Sequence, residues 1–348
     1  MDGTTELQGL EARMAEVTGA RASYLLAAEH VPAALAALGV VRPGDRLVVF
    51  ASDFEDAFAE RFAAGALLFV AEPTVAAFAE ASEGFAGDFA PGAPHLWWFV
   101  NSIGGHGLRV PDLRALGRAA RGAGALLVVD NTVASFFGCE PLALGAVLSL
   151  EALDRVCGGA APRKLVAVSA ARSQLKRHRV DAAAEEAYRL LGECGATSAA
   201  LGADELALMG SSLDTAPVRM QAHFDRARAL AEYLAANEMV SNVRYPGLAS
   251  HPDHTVATGA LEHGFGPAVE FDLPCGLSAG EFFDALPPEF RRSPAGGPAT
   301  RLSAPRGRES RTVRLFAGTD DPLTIAVTLD LQIRDRFIFA GSTCKNVE

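Results

Sequence analysis

The run from 126 to 130 is apolar without interruption until it ends on a carboxylate, Asp130, followed by Asn131 and Thr132. A strand with no polar alternation must be covered on both faces, which calls for a largely parallel sheet between two layers of helices. The flanking sequence agrees. Helical spacing over 7–17 precedes a short apolar strand at 22–27, and helix 32–38 stops at Gly39. Strand 46–51, helix 54–64, strands 67–71 and 97–101, and a helix over 110–122 opening at Pro111 follow before the central run. In such sheets ligands sit beyond the carboxyl ends of the strands, where Asp130-Asn131-Thr132 falls. The same tripeptide is also a good turn sequence, with Asp130 as its capping carboxylate.

Past residue 183 the texture changes. Helical stretches at 183–191 and 202–209 precede Pro217, and a long amphipathic helix over 219–237 leads into strand 240–245. Strand 268–273, helix 279–286 and strand 312–316 complete the pattern, with a Pro-, Gly-, Ser- and Arg-rich loop at 291–310. The expected organisation is a large α/β domain over 1–215 and a smaller α+β domain over 216–348. Hydrophobic residues make up 49% of the 348 and charged ones 21%, enough for packed cores. The net charge of −11 argues against nucleic acid or anionic membranes as partners, since the only dense basic cluster is Lys176-Arg177-His178-Arg179. No run is long enough to span a bilayer and the N-terminus lacks a signal-peptide core, so a cytoplasmic location is expected. The five cysteines, Cys139, Cys157, Cys194, Cys275 and Cys344, are scattered, which points to reduced thiols rather than a disulfide frame or a zinc site. The pair His251 and His254 is too sparse for a metal, and none is expected.

A set of motifs carries a resemblance. Arg109-Val110-x-Asp112, Asp130-Asn131-Thr132-x-Ala134-Ser135 and Pro141-Leu142-x-Leu144-Gly145-Ala146 are followed by Pro217-Val218-Arg219-Met220. Arg244-Tyr245-Pro246-Gly247-Leu248-x-Ser250-His251-Pro252, Gly264-Phe265-Gly266 and Val313-Arg314-Leu315-x-x-Gly318-x-x-Asp321-Pro322 complete it. In this order, over almost the whole chain, they resemble the trans-sulfuration, or Cys/Met-metabolism, family of pyridoxal-phosphate (PLP) enzymes. That family includes cystathionine γ-synthase, cystathionine lyases and methionine γ-lyase. The resemblance implies the aspartate-aminotransferase-like fold (PLP fold type I), assembled as dimers or tetramers with shared active sites. It also implies an N-terminal arm, which this chain is expected to lack.

The family's cofactor chemistry needs a lysine amine able to form an imine, carried in a His-Ser-x-Thr-Lys-Tyr stretch. Here the ungapped count gives Glu151-Ala152-Leu153-Asp154-Arg155-Val156-Cys157-Gly158-Gly159, which puts Arg155 at the lysine position. A guanidinium stays protonated and makes no imine. Lys164, nine positions on, is the nearest surrogate. Asp154 would repel a phosphate, or pairs with Arg155 or Lys164. The phosphate-cupping Ser-Gly-Met is replaced by Glu29-His30-Val31-Pro32, and the ring-stacking tyrosine falls on Glu55. Two matches remain: Asp130 at the pyridinium-nitrogen position, and Arg314 at the arginine that grips the amino acid's carboxylate. Asp130 and Arg155 could instead neutralise each other, and Arg314 could pair with Asp320 or Asp321. Gly104-Gly105-His106-Gly107 reads as a flexible turn, and Cys157 as a thiol whose pKa Arg155 could lower.

These residues support a degenerate family member: a non-catalytic or regulatory subunit in amino-acid (sulfur) metabolism, without bound cofactor. It would assemble with itself or with an intact PLP-dependent paralogue and could hold a small amino acid. The alternative is a PLP-dependent C–S or C–O lyase or transferase acting on cysteine- or homoserine-type amino acids.

Overall fold

Period-two alternation sorts the central strands into two apolar layers. From β2 (Arg46–Phe50), β4 (Leu96–Asn101) and β5 (Ala125–Asp130), the side chains Leu47, Val49, Trp97, Phe99, Leu126 and Val128 enter one layer. Val48, Phe50, Leu96, Trp98, Val100, Leu127 and Val129 enter the other. Both faces are buried, so the strands read as unbroken hydrophobic runs. The computed structural model describes residues 3–340 apart from 52, 86, 91, 162, 174–179, 195–198 and 294–295. The basic cluster at 176–179 and Cys344 lie outside the described residues.

With β1 (Ala22–Ala27), β3 (Leu67–Phe69), β6 (Leu148–Ala152) and β7 (Leu165–Ala170), these strands form a seven-stranded sheet ordered β1-β7-β6-β5-β4-β2-β3. Only β7 runs against the rest. The register sets Asn101 beside Asp130, and Asp130 beside Leu150, at the carboxyl ends of three neighbouring strands. A second sheet, all antiparallel, is built from β8 (Ser241–Arg244), β9 (Ala268–Asp272), β10 (Arg301–Ser303) and β11 (Thr312–Phe316), in the order β10-β11-β9-β8. Val269, Phe271, Val313 and Leu315 pack its core against Leu230 and Leu234 and against Leu329 of the last helix, Pro322–Ala340. Among the described residues no helix is long and apolar enough to cross a membrane.

Several expectations are corrected. The stretches 202–209 and 219–237 are one helix, Ala203–Ala235, with Pro217 inside it. Proline there removes a donor from the helical ladder. Near it Arg219 donates from Nη2 to the Ser212 carbonyl at 2.9 Å and from Nε to Thr215 Oγ1 at 3.3 Å. The helix carries core residues for both sheets, and the position of the expected boundary after residue 215 lies within it. Helix 54–64 shrinks to Glu55–Ala59, and the helix expected from 110 starts at Leu113, where Asp112 accepts from the Ala115 N–H at 2.8 Å. The 291–310 loop contains β10. β6, β7, the helix Val75–Ala81 and the last helix were not anticipated.

At the amino end of the sheet His95 is buried between two carboxylates. Its Nε2 lies 2.8 Å from Glu186 Oε1, and its Nδ1 3.7 Å from Asp45 Oδ1. Asp45 also accepts from the His95 and Arg42 N–H groups and from Trp97 Nε1. Asp45 foremost, then Glu186, push the imidazole pKa above 6.5 against the burial that opposes them. Native His95 therefore keeps a proton that the unfolded ring sheds. The stability gained is complete below pH 6.5 and is lost as pH rises through the folded value. His95→Gln is expected to lose about 3 kcal/mol at mildly acidic pH and to flatten this decline. Urea unfolding across a pH series measures both; equal losses at acidic and alkaline pH would refute the charge-based account.

Candidate active site

A cavity of about 390 Å³ opens at the carboxyl ends of β4, β5 and β6 and is closed from the second sheet by β11. Asp130, at the end of β5, accepts from Thr132 N–H at 2.9 Å and from Asn101 Nδ2 at 3.2 Å. Burial pushes its carboxyl up to about 6. Behind it Glu151 accepts from Phe136 N–H at 2.9 Å, while its Oε1 has no hydrogen-bond partner among the described residues. Burial pushes this carboxyl up to about 8, so Glu151 is mostly neutral at pH 7.

Arg155 sits in the tight turn after β6. Arg219 Nη1 donates to its carbonyl at 3.2 Å and Arg219 Nη2 to that of Val156, tying the turn to the long helix. Gly296 presses on the same backbone at φ +71°, and a Cβ there would lie 2.3 Å from Arg155 Cα, so only glycine fits. The Arg155 side chain is 6% exposed. Its guanidinium lies over the Phe316 ring, 4.4 Å from the centroid, and burial lowers its pKa to about 10. Arg155 and Asp130 line one cavity and their charges act on each other, but they form no close ion pair, and Arg155 Nε has no hydrogen-bond partner among the described residues. Lys164 is outside the lining and pairs with Asp154, which settles the open choice of partner for that carboxylate.

Arg314 comes from β11 and is held on three sides. It pairs with Glu270 at 2.8 Å and Asp53 at 2.6 Å, and donates to the Gly105 carbonyl at 2.7 Å. The pairing considered with Asp320 or Asp321 is not found: Asp320 accepts from the Thr300 N–H, and Asp321 caps the last helix. The Gly104–Gly107 turn is bound on both sides, since the Gly107 N–H donates to Glu270 at 3.0 Å. Cys157 behaves opposite to expectation. Its thiol is buried against Met209 and pushed up to about 11 by burial, with Asp154 adding to the rise.

Cofactor-anchoring features fit poorly. Glu29, His30 and Val31 line the cavity where an anion would meet the helix Val31–Leu38. His30 Nδ1 already takes the Ala33 N–H at 3.1 Å, and Pro32 has no N–H to give. Burial, then Arg61, lowers the His30 pKa, so that ring brings no positive charge. Glu55 is exposed and outside the lining; Asp53 and Phe54 face the cavity instead. The whole chain has three lysines, Lys164, Lys176 and Lys345, of which the last two lie outside the described residues. His251 and His254 each engage a backbone carbonyl, and no metal-holding cluster occurs among the described residues.

Sequence reasoning missed Glu270, Glu151, Phe316 and the Arg219 clamp. Phe316 had a readable signal, because it lies two residues from Arg314 on one strand and so shares its face.

A mostly parallel sheet with its cleft at the strand ends, closed by a second antiparallel sheet, defines an α/β protein of PLP fold type I. The sequence matches the family described as Cys/Met metabolism PLP-dependent enzyme over residues 3–287, and the chain belongs to that family. It is 33% identical over 239 residues to O-succinylhomoserine sulfhydrylase of Pseudomonas aeruginosa, covering 67% of this chain and 56% of that one. With a putative cystathionine gamma-lyase of Streptomyces coelicolor it shares 32% over 241 residues, 68% and 58% of the two chains. The chain thus matches about half the length of these relatives. Among solved structures, apo CalE6, a methionine gamma lyase from Micromonospora echinospora, superposes with a TM-score of 0.75 at 26% identity over 94% of this chain and 85% of that one. Cystathionine gamma synthase from Xanthomonas oryzae gives 0.76 at 25% over 95% and 85%.

The raised pKa of Glu151 makes a stability prediction. A carboxyl protonated in the native state above its unfolded value of 4.5 favours folding less as pH climbs from 4.5 through about 8. Glu151→Gln removes that loss. The variant is expected to be on the order of 2 kcal/mol more stable than the parent above pH 8 and indistinguishable from it below pH 4.5. Thermal unfolding at the two extremes checks the sign.

Proposed function

We propose that this chain is a trans-sulfuration-family protein that works without imine chemistry, as a non-catalytic or regulatory subunit in amino-acid (sulfur) metabolism. The observation that carries this is Arg155. A buried guanidinium stands at the lysine position the resemblance assigns, and no lysine lines the cavity among the described residues. The residues present do not fit the cofactor. Its aldehyde would meet no amine, and its phosphate would meet Glu29, Asp154, a self-capped helix end and a proline. Asp130 remains a candidate partner for a ligand nitrogen and Arg314 for a carboxylate, though Arg314 is already paired twice. Family membership favours the alternative of a PLP-dependent lyase or transferase.

Borohydride reduction of the purified protein followed by peptide mass analysis separates the two. No phosphopyridoxyl-lysine is expected at Lys164, Lys176 or Lys345, and a modified lysine would sink the reading. Arg155→Lys alone is expected to leave cystathionine and methionine unreacted. Each missing anion contact costs on the order of 1.5–3 kcal/mol, and several are missing. Turnover by that single variant would show the site to be nearly intact.

Assembly belongs to the same reading. Leu323, Val327 and Leu331 recur every four residues on the last helix and are exposed, a stripe suited to burial against another subunit. A dimer or larger assembly is expected, with an intact paralogue as the possible second chain. Light scattering at micromolar concentration checks it; a clean monomer refutes self-association.

A further inference from the structure

Three of the cations around the cavity have their charge or their donors met, while Arg301, whose charge reaches Arg155, has a buried Nε with no acceptor among the described residues. Arg314 holds two carboxylates and a carbonyl, Lys164 holds Asp154, and Arg219 holds three carbonyls. Arg155 differs. Among the described residues its guanidinium makes no hydrogen bond or close ion pair; it rests on the Phe316 ring face with the Asp154 and Asp130 charges acting from farther off, and its Nε is buried with no acceptor. Gly296 and Arg219 clamp its backbone, so the turn that presents the side chain to the cavity is fixed. Burying a charged fork without partners is unfavourable unless something else supplies the acceptors. The side chain lines a cavity of about 390 Å³, which is room for a small molecule.

The remaining lining restricts what that molecule is. A planar carboxylate matches a guanidinium with two parallel hydrogen bonds. A simple anion, however, would also face Glu29, Asp53, Asp130 and Asp154 on the same walls. Phosphate, with its higher charge, would be repelled more strongly. A cationic nitrogen on the same ligand removes the conflict, because Asp130 is buried beside the cavity with, among the described residues, Asn101 and Thr132 as its hydrogen-bond donors. The walls between these charges are apolar, formed by Val31, Phe54, Ile103 and Phe316. We infer that Arg155 is the carboxylate anchor of a non-covalent site for a small zwitterion with an uncharged, apolar side chain, its ammonium group taken by Asp130. This rests on the reading above, that the cavity does no imine chemistry. It assigns to Arg155 a binding role in place of the covalent one.

Calorimetry with three probes of matched chain tests it: norleucine, hexanoate, which lacks the amine, and pentylamine, which lacks the carboxylate. Norleucine is expected to bind, with each half-probe at least tenfold weaker. Arg155→Met is expected to weaken norleucine at least tenfold while melting no lower than the parent without ligand, because it removes an unpartnered buried charge. Asp130→Asn is expected to weaken norleucine and to leave hexanoate unchanged. Hexanoate or inorganic phosphate binding as well as norleucine would show a plain anion site and overturn the proposal. A less stable Arg155→Met would make Arg155 structural and overturn it as well. No norleucine binding to folded protein that also yields no lysine adduct sinks this inference and leaves the reading above standing. A lysine adduct sinks that reading whatever norleucine does.

Discussion

The junction at Arg314 is the interaction on which the site depends. One side chain from β11 reaches Glu270 on the neighbouring strand of its own sheet, Asp53 beyond β2 of the large sheet, and the Gly105 carbonyl after β4. Glu270 in turn receives the Gly107 N–H. A guanidinium suits the task because its rigid fork bonds in several directions at once; an ammonium would not span the same partners. The result sets β11 against the strand ends of the large sheet and brings Phe316 over the cavity. Removing either carboxylate would leave a buried cation undercompensated, which is why the junction behaves as a unit rather than as separate pairs.

Much of the architecture is legible in the chain because the strands carry their environment in their composition. β1 and β11 match the sequence expectation residue for residue, and β5 to within one residue. Where reading failed, a tertiary contact had overridden a local signal. Pro217 reads as a break, yet the helix continues through it, with Arg219 bonding the Ser212 carbonyl and tying the helix to the turn after β6. β6 was hidden because its segment, Leu148–Ala152, places Ser149 and Glu151 among apolar neighbours and so lacks a clean run. Its buried carboxyl is tolerated by staying protonated, a property of the fold that no pattern displays.

The motifs lead to three residues that share one cavity, but not to their pairings. Asp130, Arg155 and Arg314 do line one cavity, and the motifs that located them lie far apart in sequence. The partners were unreadable because charge pairing is decided by strand register. Arg314 faces Glu270 since β11 and β9 pair antiparallel with those two residues opposite, while Asp320 and Asp321, nearer in sequence, are already used in capping. Proximity along the chain is a poor guide to proximity across a sheet. Cys157 carries the same lesson, since Arg155 is two residues away but the thiol's surroundings are Met209 and buried apolar groups.

Three arginines meet around one turn and do three different things. Arg314 is neutralised and structural, Arg219 spends its donors on backbone carbonyls, and Arg155 rests on an aromatic face with its donors unmatched. Residue type alone does not separate these roles; what separates them is the number of acceptors within reach. Arg155 and Asp130 line one cavity and act on each other without a close ion pair, the arrangement on which the proposed zwitterion site rests. The same arrangement disfavours the group that the family resemblance would place there, because that group brings more negative charge than the walls can match and needs an amine that the lining lacks. Retention of the fold with replacement of the reactive amine is thus physically coherent. The strand ends still create a cleft, and the clamp of Gly296 and Arg219 still holds the turn. Under the proposed reading the guanidinium at 155 would bind a ligand and form no imine.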